Sequence, residues 1–186
     1  MKTLMAILGI LAVTSTWVLL NLSNEVGPEI EMPNLNQYTK IDIAPEQIKV
    51  STENSDIENG AKLVDSNLGT WWHTKVPKPY TREEWVIIDF GKSTRVDLIR
   101  VWPRISFRNQ FWDNGNAELH GSHDGKWWQF IMKLEVNKQE LIKYDRSSVT
   151  FSLKGDEANF RYYKILIRDR SFSSMAELAM YTKEEP

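Results

Sequence analysis

Short apolar runs, broken at near-regular intervals by turn residues, restrict this chain more than any other feature. Between residues 41 and 182 helical periodicity is poor. Segments rich in Val, Ile, Phe, Trp and Tyr recur instead, separated by Gly, Pro, Asn, Asp and Ser. The clearest are residues 85–90, 96–102, 116–121, 127–133, 149–153, 161–168 and 177–181. In the sixth, Tyr163, Ile165 and Ile167 alternate with Tyr162, Lys164 and Leu166, and Ile99 and Val101 alternate with Leu98 and Arg100 in the same way. A period of two sends successive side chains to opposite faces of a strand. Asp124-Gly125, between two of the runs, supplies the positive φ that a tight hairpin needs. Only residues 59–64 read as helical, for about one turn. This many short strands, with turns about every ten residues, predicts an all-β antiparallel sandwich or barrel.

Composition narrows the chemistry. The 186 residues contain no cysteine, which excludes disulfides, a Cys-type zinc site, a thiol nucleophile and a lipid anchor on cysteine. Packing must then hold the fold, and 8 Trp, 7 Phe and 6 Tyr can supply it. A net charge of −2, with the signs interspersed, provides no field for nucleic acid. Nucleophile-elbow, zinc-protease, phosphate-loop and dinucleotide signatures are all missing, while 25 acids leave a glycosidase carboxylate pair open.

The N-terminal region has a separate logic. Residues 4–22 are almost wholly apolar, with Lys2 before them and Glu25, Glu29 and Glu31 after. That length suffices for one hydrophobic membrane-spanning helix, and the charge asymmetry puts the rest of the chain on the non-cytoplasmic side. A cleaved signal segment, with Ala12-Val13-Thr14 or Thr14-Ser15-Thr16 as its small-residue site, fits the same stretch and would leave a secreted domain. The expected organisation is a transmembrane anchor or signal segment at 1–23, a linker at 24–44 and a β domain at 45–186. An ordered strap along the domain is the other reading of the linker.

The order of the punctuation is more specific than the fold class. The run Gly60-Ala61-Lys62-Leu63-Val64-Asp65-Ser66-Asn67-Leu68-Gly69-Thr70-Trp71-Trp72-His73-Thr74 resembles the opening signature of discoidin domains, the coagulation factor V/VIII C-type family. That family is close kin of bacterial galactose-binding carbohydrate modules. The similarity continues through Glu84–Lys92, through Val96–Arg104 with its Trp-Pro-Arg ending, and through Ala117–Gly125. It closes with Phe160–Ile167 and Ala176–Tyr181, so it spans nearly the whole exported region. The resemblance implies an antiparallel jelly-roll β-sandwich with ligands bound on loops at one end, and a module that binds and is not an enzyme. Ser66 stands where the family usually has Gly, and the cysteines of animal members are missing, which favours the carbohydrate-module branch.

The resemblance also implies sites. A structural calcium would take the side chains of Asp65, Thr70 and Glu177 and the backbone oxygens of Lys62, Asn67 and Ala176, consistent with six to eight oxygen ligands. The alternative is that Asp65 caps its own turn and Glu177 pairs with a lysine. Sugar hydroxyls would meet His73, Arg104 and Asn109, with Phe107, Phe111 or Trp112 as the flat ring for the apolar sugar face. Against this, His73 could bond within its loop while the aromatics complete the core. Trp71-Trp72 and Trp127-Trp128 each predict one ring facing inward. His120 and His123 point different ways on a strand entering a turn, and make no metal site. Two partners fit: a glycan, most simply of galactose type, or a protein of a larger membrane complex that receives the N-terminal helix.

Overall fold

The computed structural model describes residues 33–75, 83–104, 117–134, 148–153, 158–168 and 173–183. The chain divides into two units, Met1–Glu31 and Met32–Pro186, and the β domain is the second. The anchor or signal segment expected at 1–23, with its hydrophobic helix, lies outside the described residues. Among the described residues no helix is long and apolar enough to cross a membrane.

Among the described residues, ten strands form two antiparallel sheets: β1 Tyr38–Lys40, β2 Ile48–Val50, β3 Trp72–His73, β4 Glu84–Arg95, β5 Leu98–Pro103, β6 Ala117–Ser122, β7 Gln129–Lys133, β8 Val149–Ser152, β9 Asn159–Ile167 and β10 Ser174–Lys183. One sheet runs β1-β10-β5-β8, with β3 pairing the start of β10; the other runs β2-β4-β9-β6-β7. Short 3-10 turns lie at Leu35–Gln37, Pro45–Gln47 and Gly60–Val64. The last is the single helical turn expected near residue 60.

The alternation read from sequence sets the faces. Val86, Ile88, Leu119, Tyr163, Ile165 and Ile167 point from the second sheet onto Ile99, Val101, Met175, Leu178 and Met180 of the first, forming one buried cluster. Tyr163 belongs in this layer because its hydroxyl is satisfied: it accepts from Phe160 N–H at 3.2 Å and lies 2.6 Å from the Ala158 carbonyl and 2.7 Å from that of Thr94. Burial raises its pKa to about 12, so the hydroxyl keeps its proton.

In the 24–44 segment, expected as a linker or an ordered strap, Tyr38–Lys40 is strand β1 and pairs with Tyr181–Lys183. Its three residues are too few to show a period, and the pairing depends on a partner far along the chain. The second tryptophan doublet sends neither ring into the core. Trp127 is 83 % exposed in the hairpin turn, and the Lys164 ammonium lies 4.2 Å from the Trp128 ring centre. In the first doublet Trp72 is fully buried, as expected.

Candidate functional site

The start of β4, the end of β5, strand β3 and the start of β10 meet at one end of the sandwich. The segment after β2 folds over that end and is tied down from below. Glu84, buried at the start of β4, accepts from the hydroxyls of Ser51 and Thr52. The Trp72 indole donates to the Thr52 carbonyl at 2.8 Å, and Asn54 N–H donates to the His73 carbonyl at 2.9 Å. His73 N–H returns a bond to the Glu58 carbonyl at 3.2 Å. A loop without regular structure thereby holds its polar side chains in place.

On this base sits a charged and aromatic cluster. The carboxylate of Glu58 accepts from the Trp71 indole N–H at 2.7 Å and from the Asn54 side-chain amide. The Arg104 guanidinium lies 3.8 Å from the Trp71 ring centre, a cation–π contact. The Asn54 hydrogen bond holds the Glu58 pKa below its ordinary value, helped by the Trp71 bond and the charges of His73 and Arg104. His73 Nδ1 lies 2.6 Å from the Thr74 carbonyl. A carbonyl can only accept, so Nδ1 carries a proton and donates to it. Beside the cluster, Asp56, Ile57, Glu58, Asn59, Lys62, Gly69, Thr70 and Trp71 line a cleft of about 410 Å³. That volume lies in the lower part of the range typical of small-molecule sites.

His73 and Arg104 therefore stand in one cluster, bridged by Glu58 and Trp71. Asn109, Phe107, Phe111 and Trp112 lie outside the described residues. Sequence reasoning missed Glu58, Asn54 and Trp71 as site residues. Glu58 is one acid among 25, and nothing in its neighbourhood separates it from the others.

The 65–70 loop reaches the cleft through Gly69 and Thr70. Asp65 Oδ1 accepts from Asn67 N–H at 3.0 Å, and the Thr70 hydroxyl lies 2.7 Å from Asp65 Oδ2 and 2.9 Å from the Asn67 carbonyl. Lys62 Nζ stands 3.5 Å from Asp65 Oδ2, so its ammonium as well as its backbone faces this loop. Ser66 adopts φ 60, the left-handed conformation for which the family's usual Gly is suited. Opposite is Glu177, buried in β10, whose Oε2 has no hydrogen-bond partner. Burial, with the Asp65 charge added, raises its pKa to about 7 in spite of Lys40 and the Ser66 amide. Ala176, beside it, is the extra residue where the β10–β5 register shifts, so it has no partner in β5. Among the described residues no three His, Asp or Glu side chains converge on a metal position. A cation here would be held by two carboxylates, a hydroxyl and carbonyls, a donor set that suits calcium and not zinc.

The sequence profile of the F5/8 type C domain matches residues 47–178, more than half of the chain. The chain belongs to the F5/8 type C domain family. Solved structures agree on the fold of this F5/8 type C domain. The family 32 CBM of NanJ from C. perfringens, in complex with galactose, aligns with TM-score 0.59 and 20% identity over 78% of this chain and 99% of that one. A second C. perfringens CBM32, in complex with GalNAc-β-1,3-galactose, gives TM-score 0.58 and 20% identity over 77% and 100%. A fucose-binding module from Streptococcus pneumoniae gives TM-score 0.57 and 17% identity over 74% and 93%. No curated protein sequence matches the chain significantly.

Proposed function

We propose that this F5/8 type C domain is a non-catalytic glycan-binding module whose ligand sits on the Glu58–Trp71–His73–Arg104 cluster. The observation that carries this reading is the convergence of an imidazole, a guanidinium, a carboxylate and an indole at one end of the sandwich, beside an open cleft. Hydroxyl groups need donors and acceptors alternating at close range, and His73, Arg104 and Glu58 supply both. The C. perfringens modules of the same fold were solved with galactose and a galactoside, which makes galactose-type glycans the first ligands to try. Catalysis is disfavoured by the state of Glu58: a glycosidase general acid needs a raised pKa, and here the carboxyl is lowered and both oxygens are engaged.

Calcium fits the Asp65, Thr70 and Glu177 side chains, with Lys62, Asn67 and Ala176 oxygens completing the shell. Its role there is structural: it satisfies the orphaned Glu177 oxygen and braces the loop beneath Trp71. From residues 4–22 alone we infer display on the far side of a membrane, with the protein-complex subunit as the rival use of the same anchor.

The test is calorimetric titration of the full-length protein with galactosides, in parallel with His73→Ala and Glu58→Gln. Binding that falls about tenfold or more in both variants, with melting unchanged, supports the assignment. Galactoside binding unaffected by either change refutes the site. No glycan binding together with a stoichiometric membrane-protein partner in mild detergent favours the subunit reading.

A further inference from the structure

The outer face of the second sheet is separate from the cluster just described. Cross-strand register places Lys49, Ile87, Lys164, His120 and Phe130 in one row across all five strands. Residues in such a row share a face, and their strand neighbours Ile88, Ile165 and Leu119 are buried, so the row points outward. Phe130 is 51 % exposed at the β7 border of this face. Trp127 lies in the turn just before β7, at the end of the sheet opposite Glu84.

That turn is tightly built. Asp124 Oδ1 accepts from the N–H groups of Lys126 and Trp127 at 2.8 and 2.9 Å, and Ser122 Oγ accepts from Gly125 N–H at 3.0 Å. Gly125 takes φ +71, which a side chain would strain. A bare indole is thus held out into solvent by a fixed backbone, and not by a loose loop.

The charges on this face are unevenly matched. Asp89 receives a two-pronged Arg161 at 2.8 and 3.0 Å, Glu118 meets His120 at 2.8 Å and Arg168 at 3.6 Å, and Glu83 meets Arg168. Among the described residues, Lys49, Lys126, Lys133 and Lys164 form no ion pair with a carboxylate. Lys164 is half-buried with its ammonium on the Trp128 ring, and the burial lowers its pKa although the charge of Glu83, itself paired with Arg168, acts against it. A partly desolvated cation that no carboxylate contacts directly is a group that a ligand can complete.

We propose that this face is a second binding site, independent of the His73 cluster, for an acidic oligosaccharide. Its sugar rings stack on Trp127 and Phe130, and its carboxylate or sulfate groups meet Lys49, Lys133 and Lys164. Lys49 and Lys164 stand two strands apart, about 10 Å along the row. A chain bearing charges on separate sugars can meet both without drawing the lysines together. A lipid surface fits less well, because the exposed rings, Trp127 and Phe130, lie at one border while Ile87 and His120 in the middle of the row are only partly exposed.

The experiment is titration of the full-length protein with a galacturonate oligomer, its methyl ester and a heparin-type sulfated oligosaccharide, followed by tryptophan fluorescence. The acid or sulfated form should bind, the ester at least about tenfold more weakly, and added salt should weaken the interaction. Measured in the His73→Ala background, which disables the first site, Lys49→Gln, Lys164→Gln and Trp127→Ala should each reduce affinity about tenfold. Lys49 and Trp127 are exposed, so their variants serve even where Lys164→Gln unfolds. Equal binding of the ester, no binding of either anionic sugar, an inert Trp127→Ala, or binding only to phosphatidylglycerol vesicles would overturn the proposal.

Discussion

Glu177 is only 4 % exposed, and its Oε2 has no hydrogen-bond partner. Burial first, then the nearby Asp65, raise its pKa from 4.5 to about 7. The sign of the consequence follows from linkage. The folded state holds this proton more tightly than the unfolded chain, so stability is fullest below about pH 4.5, falls as the pH rises to about 7, and is then level. At about 1.4 kcal/mol per decade, ionising Glu177 without a compensating cation costs the fold about 3 kcal/mol. Glu177→Gln removes that ionisation. In chelator at about pH 8 the variant should melt about 6–12 °C above the parent, using about 2–4 °C per kcal/mol for a chain of this length. Calcium should stabilise the parent by mass action and do little for the variant, reversing their order. The assay is thermal melting by circular dichroism from about pH 4 to 8, with and without calcium. A parent whose melting temperature in chelator is flat across about pH 5–7 would refute the burial argument. Equal calcium stabilisation of both proteins would refute the assignment of Glu177 as a ligand.

Two further substitutions test the packing and the loop. A Cβ at Gly121 would lie 2.1 and 2.5 Å from ring atoms of Phe160, which is wedged between Tyr163 and His123. Gly121→Ala should cost about 3 kcal/mol by overpacking, read from urea midpoints, and a loss under about 1 kcal/mol would show that the ring can move aside. Ser66→Gly relieves about 1–2 kcal/mol of left-handed strain and loses about 0.5–1 kcal/mol to unfolded-chain entropy, so a small net stabilisation is expected. Destabilisation beyond about 1 kcal/mol would mean the serine side chain contributes a bond of its own.

The long strands were legible because each carries its own period. The alternation of Tyr163, Ile165 and Ile167 against Tyr162, Lys164 and Leu166 predicted the buried and outward faces of β9, and the Asp124-Gly125 turn marked the hairpin between β6 and β7. The strands β1, β2 and β3 were not legible. Two or three residues are too short to show a pattern, and their partners lie tens of residues away. His73 and Arg104 were named through the ordered resemblance to discoidin domains. Glu58 and Asn54 were not, because only the loop's hydrogen bonds bring them beneath Trp71.

What the sequence determined by itself is local: strand periodicity, turn chemistry, the absence of thiol chemistry, and an ordered series of motifs that identifies the family. What only the tertiary structure decided is which charges are matched. Glu177 and Asp65 stand more than a hundred residues apart in sequence, and they become a strained pair only when β10 packs beside the 65–70 loop. Lys49, Lys164 and Phe130 become neighbours on one face only when five strands come into register. A carboxylate or an ammonium costs little in water. Desolvation gives it an energetic consequence, and desolvation is a property of the fold.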